Sequence, residues 1–315
     1  MHLPPPIRSI VEERAESIGF TALKRAAAAM SDAYREGGAA RIARLSPAER
    51  AAAYLVTRLP ATYAASYRVL EEVRGRLGER AIATVLDIGA GTGAASLAGQ
   101  HWFPGAAITM IERDGAFADA ARECVPQALV RMDDAARMEA FPAHDLVMAS
   151  YSLGELPAAV ALRAWRAARV ALVIIEPGTP AGFERIRGAR DRLLSEGAHM
   201  IAPCPAESPC PMASPDWCHF AARVERSSMH RRIKQGDLSY EDEKFSYLAV
   251  AREPAPLANA RVIRRPEHRP GLVILQACQG ARIAEVRVPH RERERFRAAR
   301  AVAWGDAWDS GAGRP

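Results

Sequence analysis

No apolar run in this 315-residue chain approaches the roughly 20 residues that a helix needs to cross a bilayer, so the sequence predicts no membrane span. The first residues also lack the apolar stretch of a secretory signal peptide. Transit peptides contain few acidic residues, whereas this segment contains Glu12, Glu13 and Glu16. We therefore expect a cytoplasmic protein. Hydrophobic residues make up 49% of the chain and charged residues 25%, which indicates a globular protein with a substantial core.

Lysine is scarce, and nearly all of the basic residues are arginine. Residues 261–300 contain 11 arginines and 4 glutamates, a surplus of 7, so the net charge of +6 leaves about −1 for the rest of the chain. A localised basic tail predicts a polyanionic partner, of which RNA is the first candidate. A solvated arginine-rich helix over residues 291–300 is the alternative. The arginines that we expect to face RNA are Arg261, Arg264, Arg265, Arg269 and Arg287.

The pattern of the chain changes twice along its length. Residues 1–80 predict helices, including one over Ile7–Ala29 and one that begins at Ser46. Residues 81–200 alternate short apolar strands with helices, which predicts a doubly wound, Rossmann-like parallel sheet. Residues 201–315 hold a cysteine-rich stretch, further strands and the basic tail. The predicted strands are Ile82–Ile88, Ala107–Ile111, Ala128–Met132, Asp145–Ala149, Val170–Ile175, Phe245–Ala251, Gly271–Ala277 and Arg282–Val288.

A glycine-rich loop, Asp87-Ile88-Gly89-Ala90-Gly91-Thr92-Gly93, continues directly from the first predicted strand. Glycine permits a sharp turn and lets a ligand touch the backbone, and the next helix points its N-terminus at that ligand. Glu112 ends the second strand, where a carboxylate can accept hydrogen bonds from ribose hydroxyls. The spacing also fits a nicotinamide dinucleotide site, and a glycine turn without a ligand is a further alternative.

This loop, with Asp87 at its start and a helical region before it, resembles the G-x-G-x-G loop of class I methyltransferases over residues 81–176. The resemblance implies that S-adenosylmethionine is the cofactor and that Asp133 or Asp134 lies near its adenine. The other cofactor contacts that it implies are Asp87, Gly89, Gly91, Gly93 and Glu112.

The segment after the fourth strand, Ser150-Tyr151-Ser152-Leu153-Gly154-Glu155, lacks the Asn/Asp-Pro-Pro-aromatic motif of enzymes that methylate exocyclic base amines. The fifth strand ends at Glu176-Pro177-Gly178-Thr179-Pro180, without the cysteine nucleophile used for pyrimidine carbon. Methyl transfer from a sulfonium can proceed mainly by positioning and desolvation, so activity stays open. Tyr151 and Glu155 are the candidate catalytic residues, and stabilisation of a turn is the equal alternative.

Four of the five cysteines lie in the C-terminal region, at Cys204, Cys210, Cys218 and Cys278. Clustered cysteines in a reducing compartment favour a metal site over disulfides. Five and seven residues separate the first three, wider than the close pairs that zinc sites commonly use. The neighbouring prolines are typical of ferredoxin-type sites. We expect a cluster rather than zinc, and Cys124 is expected to be an ordinary helix cysteine.

A more specific resemblance comes from three parts of the chain. They are the blocks around Cys204, Cys210 and Cys218, the segment Tyr240–Tyr247 and the Glu176–Pro180 turn. Together they resemble the methyltransferase-like family of mitochondrial small-ribosomal-subunit proteins and their bacterial relatives, from about residue 48 to residue 304. The resemblance implies a four-iron, four-sulfur cluster on the four cysteines and binding to small-subunit ribosomal RNA during assembly.

Three functions follow as hypotheses from these patterns. The first is an S-adenosylmethionine-dependent methyltransferase that acts on ribosomal RNA. The second is a non-catalytic assembly factor that keeps the fold, with a cluster or a structural zinc, and the third is a nicotinamide-dependent oxidoreductase. The corresponding domains are a helical region at 1–80, a cofactor-binding methyltransferase core at 81–200, and a metal-binding region with the RNA-binding tail at 201–315.

Overall fold

The computed structural model describes residues 1–36, 44–234 and 238–309. Its helices are α1 Pro5–Ile18, α2 Phe20–Glu36, α3 Pro47–Thr57, α4 Leu59–Leu77, α5 Ala94–Trp102, α6 Gly115–Cys124, α7 Ala159–Ala167, α8 Pro180–Ser195, α9 Ser228–Lys234 and α10 Arg293–Ala301. Its strands are β1 Thr84–Ile88, β2 Ala107–Glu112, β3 Leu129–Met132, β4 His144–Ser150, β5 Ala168–Pro177, β6 His199–Ala202, β7 Phe220–Glu225, β8 Tyr240–Ala251, β9 Arg261–Val262, β10 Glu267–Arg269, β11 Leu272–Cys278 and β12 Ile283–Pro289.

The main sheet has the strand order β3-β2-β1-β4-β5-β8-β6, with β7 paired to the first half of β8. Strands β1 to β5 are parallel, whereas β8 is antiparallel to β5, β6 and β7. The chain order reverses at β1 and β4, which opens a crevice at the carboxyl ends of these strands. The predicted α/β, Rossmann-like methyltransferase fold is confirmed.

Both faces of the sheet are covered, because neighbouring strand residues point to opposite sides. Val85 packs in a core with the N-terminal helices, and the next residue, Leu86, packs with α7 and α8 on the other face. A strand that is covered twice must be apolar throughout, which explains the unbroken hydrophobic runs of the sequence.

The N-terminal region is helical as predicted, but the helix expected over Ile7–Ala29 is two helices. Gly19 separates them with a φ of 78°, a left-handed conformation that a helix interior cannot contain. The predicted start at Ser46 is confirmed by a capping box, in which the Ser46 hydroxyl accepts from the Glu49 amide at 3.2 Å.

The later strands differ from the prediction in three ways. The sequence did not predict β6, β7, β9 or β10, and the strand predicted over Phe245–Ala251 begins five residues earlier, at Tyr240. The strands predicted near residues 271–277 and 282–288 leave the main sheet and form a separate antiparallel sheet with β9 and β10. Short-range alternation predicts a strand but not which sheet it joins, since pairing is a long-range contact.

Among the helices in the described ranges, none combines the length and the hydropathy that crossing a bilayer requires.

Candidate functional site

A cavity of about 620 Å³ lies at the carboxyl ends of β1, β2 and β4, where the sheet order reverses. Nearly all of the residues predicted to contact cofactor or substrate line this cavity. They are Asp87, Gly89, Gly91, Glu112, Asp133, Asp134, Tyr151 and Glu155. Gly93 is the exception, because a side chain there would point at Met110 and Val125 in the core.

The glycine loop is bent by left-handed residues, with φ of 68° at Gly89, 56° at Gly91 and 84° at Gly93. A Cβ atom at Gly89 would lie 2.7 Å from the Cβ of Ser152, so a larger residue does not fit there. The Gly91 amide donates to the Glu112 carboxylate at 2.8 Å and thereby joins the loop to the end of β2. The loop is therefore held open as a backbone cradle.

Asp87 is buried at the base of the cavity. Its Oδ2 accepts from the amide of Ser96 at 3.1 Å and from the hydroxyl of Ser96 at 2.7 Å. Its Oδ1 is buried and has no hydrogen-bond partner among the described residues. Burial raises the pKa of this carboxyl to about 6, against the opposing effect of the Ser96 hydrogen bonds. A buried acceptor without a donor suits a ligand that carries an ammonium group.

Glu112 is also buried, at 8% exposure. Its two oxygens accept from the amides of Gly91 and Asp114, both at 2.8 Å. Burial raises its pKa more strongly than these hydrogen bonds lower it. An ionised carboxylate has about four acceptor positions, so those left over can receive ribose hydroxyls. The two acids thus fit the amino acid end and the ribose of S-adenosylmethionine.

The N-terminal helices complete the cavity, and their contribution was not predicted from the sequence. Met30, Arg50, Tyr54 and Thr62 line it from α2, α3 and α4. The Arg50 guanidinium donates to Asp114 at 2.7 Å. No local motif marks these residues, because they reach the cavity only through the packing of the helices on the sheet.

The edge of the cavity after β4 holds Tyr151, a non-glycine residue with a φ of 56°. The Arg58 guanidinium lies 5.6 Å from the centre of its ring and pairs with Glu243 at 3.1 Å. Burial, and then the Glu243 carboxylate, raise the pKa of Tyr151 well above its ordinary value. Glu155 is exposed and lies 3.8 Å from Arg113. A strained residue at a site often marks function, because its neighbours must hold the unfavourable backbone angle.

The four C-terminal cysteines line a second, smaller and largely apolar cavity between α8 and β11. All four are free thiols, as is the buried Cys124 of α6. Burial raises the pKa of Cys204 to about 11 and that of Cys218 well above its ordinary value, with the neighbouring thiols adding to the shift at Cys218.

Within the described ranges, no three His, Cys, Asp or Glu side chains form a group that could hold a metal ion. The predicted metal-binding module is thus not shown by this geometry, although its four cysteines face one cavity. The donor set is chemically suited to iron or zinc, since it consists of four soft sulfur ligands.

One charged residue of the cysteine cavity was not foreseen. Arg190, on α8, is 4% exposed, and its Nη2 donates to the carbonyls of Ala206 at 3.1 Å and Ser208 at 2.6 Å. It also pairs with Asp191 at 2.9 Å. An arginine in a helix of mixed charge looks like a surface residue, so the sequence offers no signal for its burial.

The structure corrects one predicted RNA contact. Arg261 is 2% exposed, and its guanidinium bonds Glu72 at 2.8 Å and the carbonyls of Pro203 and Gly305 at 2.9 Å each. It cannot face RNA, because its charge is used inside the protein. Arg264 is mostly covered and pairs with Asp216.

The remaining predicted arginines are on the surface. Arg265 is 77% exposed, and Arg269 and Arg287 are about half exposed in pairs with Glu267 and Glu285. Surface pairs of this kind are weak, so these side chains are available to an anion.

The family described as "Mitochondrial small ribosomal subunit Rsm22" matches residues 48–309. The chain belongs to this family. The Rsm22-family chain is 26% identical over 291 residues to the human "Ribosome assembly protein METTL17, mitochondrial", covering 80% of this chain and 61% of that protein. It is 25% identical to the "Rsm22-cox11 tandem protein 2, mitochondrial" of Schizosaccharomyces pombe, covering 81% of this chain and 42% of that protein. The chain thus spans less than two thirds of the length of these relatives.

Among solved structures, the Rsm22-family chain is similar to a precorrin-6y C5,15-methyltransferase from Geobacter metallireducens, with a TM-score of 0.39 and 15% identity over 58% of this chain and 87% of that one. It is also similar to a magnesium protoporphyrin IX methyltransferase from Synechocystis, with a TM-score of 0.37 and 14% identity over 59% and 79%. The fold assignment rests on the strand order of the chain itself.

The expectation of a cytoplasmic protein is wrong. The matching family and the curated relatives are all described as mitochondrial. The composition of the first residues was a poor guide, because it carries no information on the family's compartment.

Proposed function

We propose that this protein takes part in assembly of the small ribosomal subunit, binds S-adenosylmethionine at the Asp87–Gly93 loop and holds an iron–sulfur cluster on its four C-terminal cysteines. The observation that carries the proposal is the match of residues 48–309 to a small-ribosomal-subunit family. The cavity at the glycine loop and the cavity lined by the four cysteines support the two cofactor sites. The division into regions 1–80, 81–200 and 201–315 is part of the same proposal.

The cofactor site is supported by the fit of its acids. Asp87 offers a buried, unpaired oxygen to the ammonium group, and Glu112 offers its remaining acceptor positions to the ribose. Asp133 and Asp134 line the same cavity after β3, where the adenine would lie. S-adenosylmethionine supplies a methyl group on a sulfonium when bound, and the chain would contribute binding, orientation and exclusion of water.

Calorimetric titration tests this site. We expect the wild type to bind S-adenosylmethionine and not NAD, and Glu112→Gln to weaken binding at least tenfold, about 1.4 kcal/mol. The amide of glutamine cannot accept from both Gly91 and Asp114, so the loop and the ribose contact are both disturbed. Asp119→Asn is the control, because Asp119 is 68% exposed on α6 and hydrogen-bonds only Arg122 among the described residues. Tight binding of NAD alone would instead support the oxidoreductase.

The cluster is supported by the cysteine cavity. Three of the cysteines, Cys204, Cys210 and Cys218, lie in the connection between β6 and β7, and Cys278 ends β11, so all four meet at one cavity. In a cluster each sulfur binds a different iron atom, whereas zinc would draw all four sulfurs to about 2.3 Å from one ion. Anaerobic purification should give a brown protein with iron and sulfide, both lost in Cys218→Ser. A colourless protein with stoichiometric zinc contradicts the cluster.

A non-catalytic assembly factor is the second candidate, and one observation favours it. This edge of the cavity holds Tyr151 beneath the Arg58–Glu243 pair, and burial raises the pKa of the phenol well above its ordinary value. Tyr151 therefore offers no base to a methyl acceptor, and transfer here would rely on positioning and desolvation alone. Methyl transfer to immature small-subunit RNA separates the candidates. Incorporation supports the enzyme, and RNA binding without incorporation supports the assembly factor.

The RNA contact is proposed for the exposed arginines Arg265, Arg269 and Arg287. Their replacement by alanine should weaken RNA binding. It should also reduce the salt dependence of binding by about one counterion for each phosphate that a removed arginine neutralised. Arg137→Ala is a control, since Arg137 is 88% exposed but lies outside the basic tail. Equal losses in both variants would count against a specific basic surface.

A further inference from the structure

The cysteine cavity is lined by two buried guanidiniums, Arg190 and Arg261, which the cysteine motif does not account for. Arg261 is paired with Glu72, so Arg190 is the one whose role is open. Arg190 lies on α8 and lines the cavity together with all four cysteines. A guanidinium is always charged and is seldom buried without a specific partner. Its one acidic partner in the described ranges, Asp191, is 60% exposed to solvent.

Arg190 also holds the loop that carries two of the cysteines. Its Nη2 bonds the carbonyls of Ala206 and Ser208, which lie between Cys204 and Cys210. Charge-assisted hydrogen bonds of this kind fix geometry as well as contributing energy. The loop is therefore fastened to α8 at a point between two thiols.

The guanidinium is placed to act on the sulfurs as well. Its buried Nε has no hydrogen-bond partner of ordinary geometry in the described structure. Arg190 lines the same small cavity as Cys204 and Cys278, which brings its positive charge to the side of the sulfurs. Four thiolates in an apolar cavity need a nearby positive charge, because unpaired buried charge is costly.

We infer that Arg190 is the positioning residue of the four-cysteine site, holding the Cys204–Cys210 loop and offsetting the negative charge of a thiolate-bound iron–sulfur cluster. This inference rests on the proposed cluster. Hydrogen bonds and positive charge at the sulfurs favour the reduced, more negative form of a cluster, so they raise its reduction potential. Each reduction takes one electron from the titrant, dithionite, and needs no proton from Arg190.

The test compares Arg190→Met, Arg190→Lys and a control, Arg192→Met, as anaerobically purified full-length proteins. Arg192 lies on the same helix, is 63% exposed and pairs with Glu196 at 3.1 Å. The measurements are iron and sulfide content, the rate of iron loss to a chelator, and the midpoint potential in a dithionite titration. Circular dichroism confirms that each variant keeps its helices.

We expect Arg190→Met to lose iron at least tenfold faster than the wild type. Where the cluster persists, its midpoint potential should be lower by at least about 59 mV, which corresponds to a tenfold smaller equilibrium constant for one-electron reduction. Arg190→Lys keeps the charge but loses the planar fork, so it should lose iron quickly and retain most of the potential. Arg192→Met should match the wild type.

The outcomes separate the inference from the proposal beneath it. A wild type without iron and sulfide contradicts the cluster itself. A wild type with a cluster, and Arg190→Met with the same iron loss and potential, overturns only the role of Arg190. Should Arg190→Met retain no cluster, Arg190→Lys decides the two roles. Rapid iron loss with a near wild-type potential supports the inference, whereas wild-type iron retention or a lowered potential in Arg190→Lys overturns it.

Discussion

At the scale of single residues, Asp87 shows how a binding site reduces the stability of its own protein. The carboxyl is almost fully buried, and only one of its oxygens is hydrogen-bonded within the described residues. A buried acceptor that no protein donor satisfies carries part of its desolvation cost uncompensated. Such sites commonly trade stability for binding.

This arrangement predicts a dependence of stability on pH. The pKa of Asp87 is raised from 3.8 to about 6 in the folded protein, so the folded state holds the proton more tightly than the unfolded chain does. The contribution of Asp87 to stability is therefore lost as pH rises from about 4 to about 6. Asp87→Asn should exceed the wild type by roughly 3 kcal/mol at about pH 8, taking about 1.4 kcal/mol per pKa unit.

Urea unfolding of both proteins at about pH 4 and about pH 8 measures this difference. At the lower pH the two proteins should nearly coincide, because both side chains are then neutral. A difference of the same size at both values would mean that packing, not ionisation, separates them. Calorimetry on the same variant should show weaker binding of S-adenosylmethionine.

At the scale of elements, the turn between β5 and α8 connects the two candidate sites. The Glu176 carboxylate is buried beside Leu153, whose amide donates to it at 3.1 Å. Two residues later the Gly178 carbonyl accepts from the Trp217 indole at 3.0 Å, next to Cys218 in the chain. Helix α8 follows this turn and carries Arg190. One turn thus positions both the edge of the cofactor cavity and the cysteine loop.

At Gly178 we expect this turn to tolerate no side chain larger than hydrogen. A Cβ atom there would lie 2.7 Å from backbone atoms of Lys244 and Phe245, which cannot move without disturbing β8. Gly178→Ala should lower the free energy of unfolding by about 1–3 kcal/mol, as overpacking does. Gly188, inside α8, has nothing within 4 Å of the position that an added Cβ atom would take, so Gly188→Ala should raise it by about 0.5–1 kcal/mol.

Urea unfolding of the two alanine variants should therefore give changes of opposite sign. Equal effects from both substitutions would contradict the steric role of Gly178, because the local backbone preference of alanine would then dominate at each position.

At the scale of the whole molecule, the regions are joined by buried contacts rather than arranged as separate units. Helices α1 to α4 share one hydrophobic core with the main sheet. Glu72 on α4 pairs with Arg261 on β9, which in turn bonds the carbonyl of Pro203 beside Cys204. The N-terminal helices therefore support both the cofactor cavity and the cysteine cavity.

Breaking this pair predicts a loss of stability that extends across the molecule. Glu72→Gln leaves the Arg261 charge buried without its counter-charge, which should lower the free energy of unfolding by about 3 kcal/mol. Its neighbour Glu71 makes a surface pair with Arg68 at 2.9 Å, with both side chains 44% exposed. Glu71→Gln should change stability by less than about 1 kcal/mol.

Thermal unfolding measures the loss of stability, and the rate of iron loss from the proposed cluster measures the effect on the cysteine cavity. Equal, small effects from Glu72→Gln and Glu71→Gln would show that the buried pair does not join the regions.

The sequence by itself determined the strand–helix alternation, the bent glycine loop and the identity of the cysteines. These depend on local spacing, residue type and backbone freedom, which a linear pattern records. The sequence could not show that β11 and β12 leave the main sheet, that Arg261 turns inward to Glu72, or that Arg190 is buried among thiols. Those outcomes depend on which distant surfaces pack together, and only the tertiary structure decides whether a charge meets solvent or a partner.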